Sequence, residues 1–269
     1  MARLCAALAK SAAEIDPTTL ADGRVHELEA ALQTRDKEIA ALKAEVAQLR
    51  AALASLLVTE PMFLRLPAGF VPPCLPTKAQ EPPSGEAWLH EIKHDGFRVI
   101  ARKDGHRVRL YSRPGNDLTY RFPLIVEALA WLRSQSCIID GEAVACDGNG
   151  MPSFDRIRYR RHDDTVFLYA FDLIELNGDD LRREPLEVRK ATLASVLAKA
   201  AAGLRFNEHI EKDGPTVFAH ACKMGLEGIV SKRKATTYRS GRSPDWLKSK
   251  NPACQAVRRE EEEDWDRRR

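Results

Sequence analysis

A seven-residue repeat of apolar side chains across residues 25–57 constrains the fold of this chain more than any other feature of the sequence. A strict period of 3.5 residues over more than four heptads keeps an apolar stripe facing one partner, whereas a straight helix would let the stripe drift around its surface. The pattern therefore predicts one long coiled-coil helix of about 50 Å. The two core rows consist of Val25, Leu32, Ile39, Val46 and Leu53, and of Leu28, Leu42, Leu49 and Leu56, with Arg35 as the interruption.

Charges beside this stripe favour a parallel homodimer through residues 25–57. In a parallel pair, Glu38 faces Lys43 of the other chain and Glu45 faces Arg50, and both contacts are attractive. A long helix that folds back on its own domain is the alternative, because many outward positions are alanine. The repeat therefore indicates a dimer or a docking site for another protein.

The composition changes to seven prolines and two glycines across residues 61–85. Such a segment neither continues a helix nor pairs in the centre of a sheet. We therefore divide the chain into a helical heptad segment at 1–60, a Pro-rich linker at 61–85, a folded domain at 86–255 and a charged tail at 256–269.

Short strands and helices alternate in the folded domain. The runs FRVIA and RVRLY flank Asp104-Gly105, a dipeptide typical of hairpin turns. Strands joined by hairpins, with helices at their sides, indicate an α+β domain with antiparallel sheets flanked by helices. Further strands are predicted at 88–92, 137–145, 166–176, 227–232 and 245–250, and helices at 122–132, 188–201 and 216–224.

Several classes of protein are excluded by composition. No apolar run approaches the roughly 20 residues that a membrane-spanning helix needs, and Lys10 interrupts the short apolar stretch at the start. We therefore expect a cytoplasmic protein without membrane contact. The six cysteines lack the paired spacing of metal ligands, so a zinc site is not expected.

The positive charge is concentrated in the middle of the chain, where residues 68–258 carry 30 Lys and Arg against 24 Asp and Glu. Clusters at 156–162, 231–234 and 239–242 could supply contacts to the phosphates of a nucleic acid. A solvated basic surface explains the same composition equally well.

The sequence EIKHDGFR at 91–98 places a single lysine, Lys93, between two carboxylates. A surface charge is the simplest interpretation of this residue alone. To act as a nucleophile, a lysine needs an unprotonated amine, which desolvation or neighbouring cations must favour. Arg98 lies five residues on, and Lys248 and Lys250 alternate on one face of a predicted strand. These three cations could converge on the amine and hold a phosphate beside it.

Two glutamates lie beside glycines in apolar strands, where a carboxylate is rare without a partner or ligand. These residues are Glu142 and Glu227. Together with the lysines they suggest phosphoryl or nucleotidyl transfer assisted by Mg²⁺. Phe171 could offer a flat face to a base, although a phenylalanine in a strand is more often part of the core.

Six motifs occur in the order found in covalent nucleotidyltransferases, and the chain most closely resembles the adenylation domain of bacterial ATP-dependent DNA ligases of the end-joining type. The resemblance covers about residues 68–255 and implies an ATP-grasp-like nucleotidyltransferase domain. The motifs are EIKHDGFR (91–98), SRPGND (112–117), DGE (140–142), FDL (171–173), EGIVSKR (227–233) and WLKSK (246–250).

The resemblance implies that Lys93 attacks the α-phosphate of ATP, expels pyrophosphate and retains AMP through a phosphoamide bond. It also implies Mg²⁺ or Mn²⁺ as a cofactor and nicked or broken duplex DNA as the substrate. By the same resemblance, Glu91 recognises the adenine edge and Phe171 stacks on the base. Arg98 and Arg113 contact the nucleotide or the DNA end, and Lys248 and Lys250 bind the α-phosphate. Glu142 contacts the ribose and a metal, and Glu227 is a second metal ligand.

The chain departs from these ligases after the last motif. They continue into an OB-fold domain, whereas 19 residues follow Lys250 here, fewer than a five-stranded barrel needs. We therefore expect slow adenylation unless a separate OB-fold or end-joining protein assists. Pro114 replaces a residue that is often polar in these ligases, which weakens the expected reach of Arg113 to DNA.

Two other functions fit parts of the pattern. RNA ligases and GTP-using capping enzymes share the lysine motif, and a non-catalytic coiled-coil adaptor could retain the same fold for protein contacts. The lysines and glutamates of all six motifs are intact, which favours an enzyme. We therefore predict a minimal ATP-dependent DNA ligase.

Overall fold

The computed structural model describes residues 69–258, apart from 149, 151, 161, 255 and 256, and residues 30–48, apart from 36, 43 and 47. The chain forms two compact units, Met1–Phe63 and Leu64–Arg269. No helix in the described ranges combines the length and the apolar character that crossing a membrane requires.

The described residues of the first unit are helical and exposed to solvent. They include four apolar residues of the heptad rows, whose exposed fractions run from 47% to 65%: Leu32, Ile39, Leu42 and Val46. The other apolar residues of the repeat, with Lys43 and Arg50, lie outside the described residues. The helix therefore carries an exposed apolar stripe, and its pairing into a coiled coil stays a prediction.

Within the described residues, the second unit contains eleven strands and four α-helices. The strands are β1 (Cys74–Lys78), β2 (Trp88–Ile92), β3 (Phe97–Asp104), β4 (Arg107–Ser112), β5 (Ser136–Val144), β6 (Phe167–Leu176), β7 (Asp179–Asp180), β8 (Leu204–Phe206), β9 (His209–Ile210), β10 (Gly228–Arg233) and β11 (Gly241–Lys250). The helices are α1 (Pro123–Ala130), α2 (Phe154–Arg158), α3 (Leu186–Leu197) and α4 (Gly214–Lys223). The predicted α+β class is confirmed.

The larger sheet has the strand order β4-β3-β5-β6-β7, and β8 pairs in parallel with β6. The predicted hairpin between β3 and β4 is confirmed, but Asp104 pairs with Arg107, so the turn is Gly105-His106. The turn from β6 to β7 is Asn177-Gly178, whose φ angles of 52° and 99° are both positive. Such a turn matches the right-handed twist of the two strands.

The smaller sheet has the order β1-β11-β10-β2-β9. Its edge strand β1 lies within the segment that we interpreted as a Pro-rich linker, and it pairs in parallel with β11. The register shifts between Pro76 and Thr77. Proline has no N–H to donate to a ladder, and an edge strand or a bulge tolerates it. The parallel pairs β1–β11 and β6–β8 are exceptions to the antiparallel pairing that we predicted.

Alternate residues of the larger sheet face two different cores. Ile139 and Leu173 pack with the apolar residues of α1 and α3. Ile138 and Ile174 face the other way and pack with Leu89 and Trp246 of the smaller sheet. This alternation is the two-residue period of a strand, and it brings the two sheets together around a cleft.

Candidate active site

A cleft of about 510 Å³ opens between the two sheets. Lys250 pairs with Gly228, next to Glu227, so it lies close to the cleft without lining it. Burial, followed by the charges of Lys93 and Lys248, lowers the pKa of Lys250 to about 8. The motifs therefore meet in one place, although they span most of the folded domain. The other eight residues that sequence analysis assigned to the site all line the cleft: Glu91, Lys93, Arg98, Arg113, Glu142, Phe171, Glu227 and Lys248.

Lys93 lies in the loop between β2 and β3, and its ammonium donates a hydrogen bond to Glu227 Oε1. The backbone N–H of Lys93 donates to the carbonyl oxygen of Gly228 at 3.0 Å, which ties the loop to the start of β10. The side chain of Lys93 is 21% exposed and that of Glu227 is 4% exposed. The amine therefore faces the cleft, while its carboxylate partner is buried behind it.

Two motif glycines allow the strands around this ion pair to approach closely. A Cβ atom at Gly96 would lie 2.2 Å from the carbonyl oxygen of Ala143, and one at Gly228 would lie 2.1 Å from that of Ser249. Gly228 also has a φ of 143°, a backbone angle that residues other than glycine rarely adopt. A larger residue at either position would separate the lysine loop from its neighbours.

The buried carboxylate of Glu91 closes the inner end of the cleft. Lys190 Nζ donates to Oε1 at 2.7 Å, Lys232 Nζ lies 2.7 Å from Oε2, and Asn207 Nδ2 donates to Oε2 at 3.2 Å. Burial by itself raises the pKa of Glu91, but the charges of both lysines lower it below its ordinary value. Since both oxygens are engaged, an adenine edge can bind this carboxylate only by sharing or displacing one of these partners.

Arg98 and Phe171 lie at the same end of the cleft. The guanidinium of Arg98 donates two hydrogen bonds to Asp140, at 2.5 and 2.8 Å, and lies 4.5 Å from the ring centroid of Phe171. Lys232 Nζ lies 4.2 Å from the same centroid. Because two cations pack on a ring that is 7% exposed, a stacked base must compete with them.

Glu142 and Glu227 bring one carboxylate from each side of the cleft. Burial raises the pKa of Glu142 to about 7; the charges of Lys93 and Arg98 oppose this shift, and that of Glu227 adds to it. Among the described residues, Oε2 of Glu227 is buried without a hydrogen-bond partner. A divalent cation would satisfy this oxygen and favour the ionised form of Glu142.

The two carboxylates therefore fit Mg²⁺ or Mn²⁺, which commonly bind through one or two carboxylates plus water and substrate phosphates. The described residues contain no group of three His, Cys, Asp or Glu side chains that could hold a metal by themselves. Such an ion would thus depend on the phosphates of a bound nucleotide.

Six cations surround the outer end of the cleft. Burial, followed by the charges of Lys93, Arg113 and Arg242, lowers the pKa of Lys248. Across the β1–β11 pair, Lys78 is the partner of Lys248. Within the described residues, Lys78, Arg113, Arg242 and Lys248 have no ion pair, whereas Lys93 pairs with Glu227. We call the six residues the outer cation group: Lys78, Lys93, Arg113, Arg242, Lys248 and Lys250.

The partners of Glu91 were not predicted from the sequence. Lys190 lies on α3, where Leu186, Arg189, Lys190, Leu193 and Leu197 form the buried face. This helical spacing of two basic residues among leucines was the available signal. Asn207, which follows β8, lies in no motif, and sequence reasoning offered no indication of its role.

Asn207 also connects Glu91 with the lysine loop. His94 Nε2 lies 2.9 Å from Asn207 Oδ1, and the His94 ring stacks on Tyr169 with centroids 3.9 Å apart and planes 4° apart. The residue next to Lys93 is therefore fixed from two directions. A rigid loop of this kind holds a reacting amine in one position.

The basic cluster at 231–234 does not form the phosphate-binding surface that its composition suggested. Lys232 is buried against Glu91, Arg233 Nε lies 3.4 Å from Asp245 Oδ1, and Lys234 pairs with Glu211. Each cation of the cluster is engaged by a carboxylate, although Lys232 shares Glu91 with Lys190. The outer cation group, by contrast, includes four described cations without an ion pair.

A cleft that joins a lysine, two carboxylates and excess cations is suited to phosphate chemistry on a nucleotide. A family model described as "ATP dependent DNA ligase domain" matches residues 76–250. The multifunctional non-homologous end joining protein LigD of Pseudomonas aeruginosa is 40% identical over 186 residues, which cover 67% of this chain and 22% of that protein. The SPbeta prophage-derived DNA ligase-like protein LigB of Bacillus subtilis is 30% identical over 184 residues, which cover 66% of this chain and 67% of that protein.

A solved structure of mycobacterial DNA ligase D, complexed with ATP and MES, is similar in fold. It superimposes with a TM-score of 0.61 at 33% identity, covering 67% of this chain and 60% of that one. The chain belongs to the ATP-dependent DNA ligase domain family, and the resemblance found in its motifs is confirmed. It spans about a fifth of the length of its LigD relatives.

Proposed function

We propose that this chain is the adenylation core of an ATP-dependent DNA ligase and that Lys93 becomes covalently bound to AMP. The observation that carries this proposal is the position of the Lys93 amine. It contacts Glu227 in the wall of a cleft whose outer end holds excess cations. The DNA ligases among its relatives and the ATP complex of mycobacterial DNA ligase D support ATP as the nucleotide and DNA as the substrate.

In the proposed reaction, Lys93 loses one proton, for which Glu227 Oε1 is the nearest acceptor. The lone pair of Nζ then forms a bond to the α-phosphorus, the bond to the bridging oxygen breaks, and pyrophosphate leaves with that electron pair. Lys248 and Lys250 stabilise the charge that develops on the α-phosphate, because they are in place before the reaction begins. A divalent cation held by Glu142 and Glu227 would neutralise phosphate charge.

The inner end of the cleft would bind adenine. Glu91 would recognise the base edge, with either Lys190 or Asn207 moving aside, and Phe171 would stack on the base in place of a packed cation. Arg98 would position the base-binding residues, because it donates hydrogen bonds to Asp140 and packs on Phe171. Arg113, exposed on the turn after β4, would contact the end of duplex DNA. AMP would then pass to a 5′-phosphate at a nick, where the 3′-hydroxyl displaces it.

Incubation with α-labelled ATP and Mg²⁺, followed by denaturation, tests the proposal. The parent protein retains the label, whereas Lys93→Arg, which keeps the charge and loses the nucleophile, does not. GTP is the matched control for a capping-type enzyme, and nicked RNA is the control for an RNA ligase. An unlabelled parent, or a Lys93→Arg variant that labels equally well, contradicts the proposal.

We also propose that the N-terminal helix pairs in parallel with that of a second copy through residues 25–57. The exposed apolar stripe supports this pairing, as does the sequence, which predicts attractive Glu38–Lys43 and Glu45–Arg50 contacts in a parallel pair. Replacing Leu42 and Val46 together by aspartate should halve the mass measured by light scattering and leave Lys93 labelling unchanged. Ala41→Asp, on the outward side of the same helix, is the control. An unchanged mass in the double variant contradicts the dimer.

The domain boundaries at 60 and 255, a cytoplasmic location and assistance from a separate OB-fold or end-joining protein also belong to this proposal, whereas the boundary at 85 is replaced by one before β1 at Cys74. The LigD relatives are described as end joining proteins, which supports a partner of that kind. Faster sealing of nicked DNA on addition of such a protein, with labelling unchanged, is the expected result.

A further inference from the structure

We propose that Lys78, on the edge strand β1, binds the β- and γ-phosphates of ATP and the pyrophosphate that leaves. The inference rests on the proposed adenylation reaction and adds a phosphate subsite to it. Lys78 lies outside all six motifs, in the segment that sequence analysis treated as a linker.

The pairing of β1 with β11 fixes the position of Lys78. Lys78 and Lys248 are partners in the parallel register, and the N–H of Ala79 donates to the carbonyl oxygen of Lys248 at 3.0 Å. Neighbouring strands are about 4.8 Å apart, and partner residues point to the same face of a sheet. Because Lys248 lines the cleft, Lys78 lies on the cleft face at its outer edge.

Lys78 is exposed to solvent, and the positive charges around it favour the binding of an anion. Like charges on directly paired residues destabilise a sheet, and in the described part of the chain neither Lys78 nor Lys248 has an ion pair. The charge of Lys78 also acts on Lys250, as do the charges of Lys93 and Lys248. Glu227 is the carboxylate among them, and it already pairs with Lys93. A polyphosphate would supply the missing negative charge.

The edge position of β1 places Lys78 beside the α-phosphate, on the side of β11 that faces away from β10. Strand β11 runs from Trp246, at the inner end of the cleft, through Lys248 to Lys250. Parallel to it, β1 runs from Leu75, which lines the cleft, to Lys78. A nucleotide with its base at the inner end and its α-phosphate at Lys248 therefore brings its outer phosphates within reach of Lys78 when they turn toward the edge strand.

A contact between Lys78 and the outer phosphates would affect both the forward and the reverse reaction. In the forward direction it stabilises the charge that gathers on pyrophosphate as the phosphorus–oxygen bond breaks. In the reverse direction an oxygen of pyrophosphate attacks the α-phosphorus, the bond to Lys93 Nζ breaks, and the amine keeps the electron pair and regains a proton. ATP is released, so the reverse reaction reports directly on pyrophosphate binding.

The experiment measures the pyrophosphate concentration that removes half of the AMP from the purified lysyl-AMP form of the full chain. Loss of AMP is followed by mass spectrometry of the intact protein. Lys78→Ala should need about five- to twentyfold more pyrophosphate than the parent, the scale of one charge-assisted phosphate contact. Lys78→Arg, which keeps the charge, should stay near the parent. Lys199→Ala, an exposed lysine beyond α3, is the matched control. Sealing of a pre-adenylated nick, which needs no pyrophosphate, should change less than about twofold.

Equal pyrophosphate requirements in Lys78→Ala and the parent overturn the inference. So does an equal loss in the sealing of the pre-adenylated nick, because Lys78 would then contact DNA. A parent that forms no lysyl-AMP at all overturns the proposed function itself, which separates the two failures.

Discussion

At and behind the inner end of the cleft, each buried carboxylate is held by one or two cations, whereas at the outer end cations outnumber carboxylates. Glu91 is held between two lysines, and Arg189 makes hydrogen bonds of 2.7 and 2.8 Å to Asp172. In the described residues of the outer cation group, by contrast, Lys78, Arg113, Arg242 and Lys248 have no ion pair.

This difference separates residues that stabilise the fold from residues that bind a ligand. Breaking a buried pair leaves an unpaired charge in the interior, so the inner pairs should dominate stability. Unbalanced charge at the outer end costs stability and is retained where a ligand supplies the opposite charge. The two ends should therefore respond to mutation in different ways.

Arg189→Ala should have the largest effect, which is a loss of stability. The change leaves Asp172 buried without a partner and removes a donor from the carbonyl oxygens of Glu184 and Thr236. The free energy of unfolding should fall by about 3–5 kcal/mol, measured by urea unfolding. A loss below about 1 kcal/mol would show that the inner pairs do not control stability.

At the outer end, Lys248→Ala should act on the reaction and leave the fold intact. The rate of Lys93 labelling should fall about 10²–10³-fold, while ATP binding weakens by less than tenfold, because charge on the α-phosphate changes most in the transition state. Stability should stay the same or rise, since repulsion from Lys78 and Lys250 is relieved. Single-turnover labelling and ATP titration measure both quantities, and equal losses in rate and binding contradict the assignment.

The loop between the two ends should respond to pH through His94. Burial lowers the pKa of His94, and that of His90, below the ordinary value. Below pH 6.5 these two histidines take up protons in the unfolded chain that they do not take up in the folded protein, so their contribution to stability falls, by at most about 1.4 kcal/mol per pH unit for each proton. In His94→Phe, which keeps the stack on Tyr169, the fall should be shallower. Urea unfolding at pH 7.5, 6.5 and 5.5 measures it, and equal slopes contradict it.

The smallest expected effect comes from an exposed ion pair. Arg233 and Asp245 are 48% and 29% exposed in their side chains, and such pairs contribute about 0–1 kcal/mol. Arg233→Ala should therefore change the free energy of unfolding by less than about 1 kcal/mol and leave labelling unchanged. It also serves as the exposed control for Arg189→Ala. A loss as large as that of Arg189→Ala would remove the distinction between buried and exposed pairs.

The fold and the outer half of the site followed from local sequence signals. The hairpins carry glycines where the backbone needs them, and the helices carry leucines at helical spacing, so both were predictable. Lys93 was identifiable because it lies in a short motif between two carboxylates, and Glu227 because it lies beside a glycine in an apolar strand. The strand lysines Lys248 and Lys250 were placed on one face by their spacing alone.

The partners of Glu91 at the inner end of the site were not predictable by these means. Glu91 meets Lys190 and Asn207 across 99 and 116 residues of sequence, and local periodicity does not report such pairs. Strand β1 was missed because proline density argues against a strand, although an edge position accepts it. The subsite proposed around Lys78 depends on that strand.

The most direct test of the central claim is to map the AMP adduct by mass spectrometry after incubation with ATP and Mg²⁺. We predict a single adduct on the peptide that contains Lys93, removed when pyrophosphate is added. An adduct on another residue, or none on folded protein, would contradict the assignment of Lys93 as the attachment point.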